Sequence, residues 1–451
     1  MNKAIIPAVL ACLALAPFSH AQFDLPGLDA SDLKSRAPSG GAWQDAAPFP
    51  VRDVSWNKAV GEPEKLKIGL VSKAERKEYI TRAQLWRPEE TLNLAAVDFK
   101  AGPYESNKYR PEELVTCNYI PMAEAYDSGK PNGMTPKFKC RDQRGKELKV
   151  KYGRDNGEVI TEVAASWILT AIGAYADKMY PVRLTCPDCP SDPYKDETDK
   201  GSWPAGSMVA IEDKLGERIE RKANSGIGFD EFHLMEDRVG AEALAGMTQF
   251  LGNSDNKAAN QAIACHKKDI VVADQAAGKA VCLKPVVYLQ DMGISFGGRG
   301  FFHNGRMDFD KWAKEKVWDD PARCALRLNT AMTSSLKDVD PSGRDMHQIG
   351  EKARQMMWRR LSLLSREQLT DIFTAARAPL RKPKHTAEEW ADLFMRKVEM
   401  LRSPMGAATK PDFVCPFEVV PPNSAPPPAG KAANPGAAEA AVGSDDLVII
   451  D

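Results

Sequence analysis

Cysteine placement limits what this chain can fold into more than any other feature. Nine cysteines are present, and one of them, Cys12, falls inside a leader-like start. "MNKAIIPAVLACLALAPFSHAQ" carries Lys3, an apolar run to Leu15, and small residues at Ser19 and Ala21. That is the build of a secretory signal peptide over 1–21, with cleavage before Gln22 and a periplasmic or secreted destination. The mature chain then holds Cys117, Cys140, Cys186, Cys189, Cys265, Cys282, Cys324 and Cys415. This is an even set in an oxidising compartment, where disulfides are the default. Neighbours along the chain suggest Cys117–Cys140 and Cys265–Cys282. "CPDC" at 186–189 has three readings: a structural disulfide, a zinc half-site or a redox pair. Its flanking prolines oppose the strand–turn–helix setting of a redox motif, and the histidines show no spaced pair to complete zinc. The disulfide reading leads.

The chain has 451 residues, 43% of them hydrophobic, enough for a large core in two or three domain-sized units. Its 61 basic and 62 acidic residues leave a net charge of -1. No basic excess exists to neutralise a phosphodiester backbone, so nucleic acid is not an expected partner. The local basic run "RAPLRKPKHT" at 377–386 reads as a solvated loop between helices. Past the leader, no stretch approaches the roughly 20 apolar residues that span a bilayer. Residues 22–50 are rich in Ala, Pro, Ser and Gly and read as a flexible lead-in. The stretch 51–114 is mixed, bears tryptophans and takes no assignment. Residues 417–451 have the composition of a disordered tail. The tail ends in "DDLVIID" (445–451), either a frayed end or a docking strand that adds to a sheet edge.

Between these ends, strands come first and helices later, which is the α+β pattern. "TPKFKCRDQRGKELKVKYG" (135–153) reads as a hairpin turning over Asp142 to Gly145, with Leu148, Val150 and Tyr152 alternating on its second arm. "EVITEVAASWILTAIG" (158–173) is helical, with Ile160, Ala164, Trp167, Ile168 and Ala171 on one face and Gly173 to stop it. "GSMVAIEDKLG" (206–216) is a short buried strand, and "AEALAGMTQFLG" (241–252) a helix. "KPVVYLQDMGISFGG" (284–298) is a buried strand running into a Gly-rich turn. Capping boxes at Ser365/Gln368 and Thr386/Glu389 open two later helices.

Four features of this order carry chemistry. Lys149 and Lys151 alternate with the apolar residues of the hairpin's second arm and leave from its other face. Glu158 and Glu162 follow at i,i+4 on the next helix, off its Trp167 face. Each pair alone is what a solvated surface shows. Asp255-x-Lys257-x-x-Asn260 follows a helix end, and Asp291-Met292-Gly293 leaves a buried strand, where a carboxylate beside glycine suits a metal ligand and also an ordinary turn. Phosphoryl transfer asks for cations on a polyphosphate, oxygen ligands on magnesium, and a carboxylate to orient the attacking hydroxyl.

A strand lysine, a helix glutamate, a D-x-K-x-x-N loop and a strand-ending D-x-G, in that sequence, resemble the protein-kinase-like superfamily over about 115–400. The resemblance is closest to its atypical branches: HipA-type, phosphoinositide-kinase-like and secreted kinases. It implies a two-lobed fold, with a strand-rich N-lobe at 115–216 and a mainly helical C-lobe at 217–416. It implies ATP and Mg2+ (or Mn2+) as cofactors and a hydroxyl acceptor on a protein, glycan or small molecule. On that match Lys151 holds the α/β-phosphates and pairs with Glu162, with Lys149 and Glu158 as alternates. Asp255 orients and deprotonates the acceptor, Lys257 neutralises the transferred group, and Asn260 and Asp291 ligate magnesium. "GMTPKF" (133–138), starting at Gly133, stands where a phosphate-covering loop belongs.

The chain departs from the family in lacking G-x-G-x-x-G before the strand. Asn253-Ser254 stand in place of His-Arg, Met292 in place of Phe, and no A-P-E follows. The stretch between Asp255 and Asp291 holds Cys265 and Cys282 and reads as a disulfide-tied insertion. Three rival readings remain open: a pseudokinase that binds without catalysis, a nucleotidyltransferase on the same fold, and a structural envelope protein.

Overall fold

The computed structural model describes residues 68–416, apart from 132, 134, 154–155, 196–200, 223–224, 275–278, 299–306, 329–335, 337–344, 381–383 and 404–412. The leader, the lead-in and the tail with its "DDLVIID" end lie outside the described residues. Helix α1 (Lys73–Arg82) opens the chain's described part, with Ser72 and Glu75 closing a capping box at its start. Then follow β1 (Leu114–Ile120), α2 (Met122–Ala125), β2 (Lys137–Asp142), β3 (Glu147–Tyr152), α3 (Glu158–Ala171), β4 (Tyr175–Ala176), β5 (Lys178–Thr185), β6 (Ser207–Asp213) and β7 (Glu217–Arg218). After these come α4 (Arg238–Phe250), β8 (Gln261–Cys265), β9 (Ile270–Asp274), β10 (Lys279–Cys282), β11 (Pro285–Leu289), α5 (Phe309–Lys314), β12 (Trp318–Asp320) and β13 (Ala325–Leu326). Helices α6 (Glu351–Ser362), α7 (Arg366–Ala375) and α8 (Ala387–Arg402) complete the order. The molecule is thus mixed α+β, strand-rich first and helical later.

Five strands close into a barrel in the order β1-β2-β3-β6-β5, its last seam the parallel pairing of β1 with β5. Closure leaves no unpaired edge. The β2–β3 hairpin lies where the alternation puts it, because Asp142 supplies the turn's missing acceptors. Its Oδ1 takes the Arg144 and Lys146 amides at 2.9 and 2.8 Å. Phe138, Val150, Met179 and Val209 are all completely buried. Helix α3 lies against β5, where the Trp167 indole donates to the Met179 carbonyl at 2.8 Å. It has 13 buried residues out of 14, so the amphipathic helix read from sequence is enclosed on every side. Among the described residues no helix is long and apolar enough to cross a membrane.

A second sheet, β4-β11-β8-β7, takes β4 from between α3 and β5 and its other strands from after the barrel, and leads into the helices. Phe296, in the loop after β11, packs edge-on against Trp312 and Phe373 at ring distances of 5.1 and 5.8 Å. That contact fastens the loop following Asp291 to the helical core. The capping boxes at Ser365 and Thr386 are both formed. Helix α4 starts at Arg238, three residues earlier than the apolar pattern, because the Asp237 side chain caps the Gly240 amide at 2.8 Å.

Four disulfides staple the fold. Cys117–Cys140 and Cys265–Cys282 pair as neighbours, Cys186–Cys189 closes the C-P-D-C turn, and Cys324–Cys415 spans 91 residues. Two sequence expectations need correction. The unassigned stretch is integral to the fold in its described part. Gln84 exchanges backbone hydrogen bonds with Pro285 and Val287, both 2.9 Å, and Trp86 donates to the Gly240 carbonyl at 2.9 Å. The basic run is not wholly solvated either. Arg377 is buried and donates to the Val182 and Val209 carbonyls at 3.0 and 3.1 Å and to Glu112 at 2.5 Å. Three fixed acceptors on two barrel strands and a loop explain why a guanidinium, and not a lysine, sits there.

Candidate functional site

Strand alternation sends Lys149 and Lys151 out of the barrel on the side away from Val150, and α3 covers that side. Asn156 sets the helix's start: its Nδ2 donates to the Tyr152 carbonyl at 2.8 Å and its Oδ1 accepts the Glu158 amide at 3.0 Å. The end of β3 and the first turn of α3 are tied together, so Glu158 and Glu162 meet Lys151. The Lys151 Nζ stands 2.5 Å from Glu162 Oε2, 3.1 Å from Glu158 Oε2, 3.3 Å from Glu212 Oε2 and 3.4 Å from Asp291 Oδ1. Four carboxylates from two secondary-structure elements and one loop therefore surround a single ammonium. Lys149 is held separately by both oxygens of Glu212, at 2.6 and 2.7 Å. Glu158 and Glu162 are buried, contrary to the surface character each pair has in sequence.

Burial works against the Lys151 ammonium, but Glu158, Glu162, Asp291 and Glu212 together outweigh it and hold its pKa well above the lysine value. Burial pushes the Glu162 carboxyl well up, with Lys151 opposing. Burial also opposes ionisation of Glu212 and Asp291, and the lysines prevail over it, leaving both below the ordinary carboxylate range. Oxygens of Glu158, Glu162 and Asp291 all come within 4.8 Å of one another, and Glu162 Oε1 is buried without a hydrogen-bond partner. An all-carboxylate donor set of this kind fits a hard divalent cation such as Mg2+.

The opposite wall is the loop after α4. Gly252 turns the chain in the left-handed region, at φ 71°. The loop then runs beside the segment following β11 and is bonded to it at three points. The Ser254 amide donates to the Ile294 carbonyl at 3.1 Å, and the Gln290 amide to the Asn260 carbonyl at 2.8 Å. The third is Asn253 Nδ2 against Met292 Sδ at 2.9 Å. Asn253 and Met292 are thus each other's partners. Lys257 Nζ pairs with both oxygens of Asp255, at 2.8 and 3.0 Å. Asn260 Nδ2 donates to the Asp255 carbonyl at 2.6 Å, and no hydrogen bond joins it to the Asp291 carboxylate. Asp291 has φ 53°, a left-handed conformation uncommon outside glycine. It is fixed on one side by β11 and on the other by Phe296.

Gly133 adopts φ 87°, and its carbonyl accepts from the Tyr194 hydroxyl at 2.7 Å. Lys151, Glu158, Glu162 and Asp291 therefore converge directly. Lys149 joins them through Glu212. Asp255, Lys257 and Asn260 form a neighbouring group on a loop bonded to the same segment as Asp291.

Two residues escaped the sequence reading. Glu212 lies opposite Lys149 across the β3–β6 pairing. Lys137 lies opposite Lys151 across β2–β3, and its pKa is pushed down first by burial, then by Lys151 and Lys149. Gly293 admits no side chain, since a Cβ there would meet Glu158 Cγ at 2.1 Å. Glu212 and Lys137 were signalled by their places in strands whose alternate residues are apolar, but only pairing register shows which lysine each faces.

No family model matches the sequence, and no curated protein matches it. Among solved structures, the Helicobacter pylori proinflammatory kinase CtkA is similar at 10% identity, over 62% of this chain and 92% of that one. The TM-score is 0.34. The likeness is distant, too slight to carry a fold or an activity across.

Proposed function

We propose that this chain is an exported atypical kinase of two-lobed build, transferring a phosphoryl group from Mg-ATP to a hydroxyl acceptor. One observation carries the reading. A strand lysine, a helix glutamate and an aspartate leaving a buried strand meet at one nitrogen, with a D-x-K-x-x-N loop bonded alongside. In this reading Lys151 binds donor phosphates and Glu162 holds its ammonium in place. Lys149, held by Glu212, keeps that carboxylate from drawing Lys151 away. Asp255 orients the acceptor hydroxyl and takes its proton, and Lys257 neutralises the group in transfer. Gly133 lets the covering loop approach. Asp291, with Glu158 and Asn260 nearby, holds a divalent cation, which when bound supplies charge neutralisation to the phosphate oxygens. Export rests on the leader sequence.

The test is Mg-ATP binding and γ-phosphoryl transfer by the oxidised protein. A ligand at a hundredfold excess over Kd stabilises the fold by about 2.7 kcal/mol, which a melting curve reads directly. Asp255→Asn is expected to abolish transfer while leaving binding in place. Absence of any Mg-dependent nucleotide binding sinks the proposal. A binding module without catalysis is favoured by one observation, the closure of Lys257 onto both oxygens of Asp255. It predicts nucleotide binding with no transfer by the wild type.

A further inference from the structure

Lys137 begins β2 in register with Lys151, so it leaves the barrel on the same face as Lys149 and Lys151, while Phe138 points inside. It is 9% exposed. Its lysine neighbours on that face are all held: Lys139 by Glu147 at 2.7 Å, Lys149 by Glu212, and Lys151 by four carboxylates. The Lys137 ammonium has no hydrogen bond and no ion pair among the described residues. It lies beneath the loop ahead of β2, 3.2 Å from where a Cβ on Gly133 would stand. That loop is itself tied to the site, because the Thr135 hydroxyl donates to Glu158 Oε1.

A buried lysine whose ammonium is unpaired costs stability that a methionine of similar length avoids. It offers three donors and has no acceptor of its own to satisfy them. Lys149 is not available for the same task, since both Glu212 oxygens engage it. The chain also lacks the glycine-rich run whose amides would otherwise meet a polyphosphate. We propose that Lys137 is the anion-receiving group in the roof of this cleft, donating to a phosphate oxygen of the polyphosphate donor beside Lys151. The inference rests on the reading of the cleft as a nucleotide site and adds the residue that substitutes for the missing glycine-rich cover.

The experiment compares wild type, Lys137→Met and Lys137→Arg by calorimetric titration with Mg-ATP and with Mg-tripolyphosphate, and by melting without ligand. Lys137→Met is expected to weaken both ligands about ten- to a hundredfold, the worth of a charge-assisted hydrogen bond. Lys137→Arg is expected to retain most of the affinity, and empty Lys137→Met to melt no lower than wild type. Undiminished binding by Lys137→Met overturns the proposal. So does a lower melting temperature of the empty variant, which would make the ammonium a structural group. If wild type binds neither ligand, the nucleotide reading of the cleft fails. If wild type binds and Lys137→Met binds equally well, only the assignment to Lys137 fails.

Discussion

Replacing Lys151 by methionine removes one positive charge from a place where four carboxylates depend on it, at nearly constant side-chain volume. The cost follows from what remains. Glu212 keeps Lys149 at 2.6 Å, and Asp291 is 35% exposed and open to water. Glu162 and Glu158 have side-chain exposures of 0% and 10% and lose the one cation within 4 Å of them among the described residues. Breaking a buried ion pair by removing one partner costs about 3–5 kcal/mol. With about 2 cal/mol/K of unfolding entropy per residue over the roughly 300 described residues, that lowers Tm by about 6 °C.

The pH dependence gives the sharper test. Lys151 has a folded pKa held above the ordinary lysine value. Its contribution is therefore fully present below that value and is lost only as pH rises through the higher folded one. Between pH 5 and 8 the Lys151 contribution is flat, and wild type varies there only through the already raised Glu162. In the variant, Glu162, already pushed up by burial, loses its opposing cation and rises further. A carboxyl raised in the folded state stabilises at low pH and loses that contribution as pH rises through its folded pKa. The gap between wild type and Lys151→Met should be larger at pH 8 than at pH 5. Adding Glu162→Gln to the variant should recover part of the loss at pH 8. Melting curves at both pH values decide it. A loss below about 1 kcal/mol at pH 8, or a gap that does not change with pH, would refute the idea that these carboxylates are buried against one ammonium.

Asp177, fully enclosed between the barrel and the second sheet, is pushed up to about 7 by burial and then by Glu212, with Lys149, Lys214 and Lys151 opposing. Its raised pKa gives stability present below the ordinary range near 3.8 and lost as pH rises through about 7. Asp177→Asn keeps an acceptor for Gln290 Nε2, which lies 3.4 Å from Asp177 Oδ2. The substitution should stabilise the protein at pH 8 by on the order of 2–4 kcal/mol and leave it little changed at pH 4; equal effects at both pH values would contradict this. Among the disulfides, Cys324–Cys415 closes 91 residues and Cys265–Cys282 closes 17. Loop entropy assigns them about 4–5 and about 3 kcal/mol. Denaturant titration of Cys324→Ser/Cys415→Ser against Cys265→Ser/Cys282→Ser should show the first pair losing more, and the reverse order would argue against a loop-entropy origin.

The elements read correctly from sequence are those whose signal is local. The β2–β3 hairpin announces itself through alternation and through Asp142, which bonds to amides two and four residues on. The two late capping boxes act within four residues. The adjacent cysteines pair because short loops bring them together. What was hidden is non-local. Lys149 looks like a surface residue until β6 delivers Glu212 from 63 residues away. Arg377 looks like one member of a solvated basic run until two barrel strands present it with bare carbonyls. The stretch before β1 shows no periodicity because its apolar residues serve different neighbours. Tyr79 meets the Cys282 amide, Trp86 meets α4, and Tyr104 meets β5. A helix or strand with one buried face writes a period into the sequence, and a segment that threads between other elements does not.

Charge in the cleft bears on how it would work under the proposed reading. Glu158, Glu162, Glu212 and Asp291 stand against Lys137, Lys149 and Lys151, four carboxyl groups to three lysines. A bare polyphosphate adds negative charge to a site whose lysines are already matched by carboxylates, and repulsion between close unscreened charges amounts to several kcal/mol. Binding of the anion alone is therefore disfavoured, and the donor is admitted only with its own divalent cation. The structure indicates where that exchange is easiest. Of the four carboxylates around Lys151, Asp291 is the farthest at 3.4 Å and the most exposed. It also comes from the segment after β11, apart from α3 and β6, which carry the others. Releasing Asp291 leaves Lys151 still held by Glu162 at 2.5 Å, so the lysine keeps its position while gaining room for a phosphate. The same ammonium that neutralises the empty cleft then becomes a ligand for the donor, without any rearrangement of the strand or helix that place it.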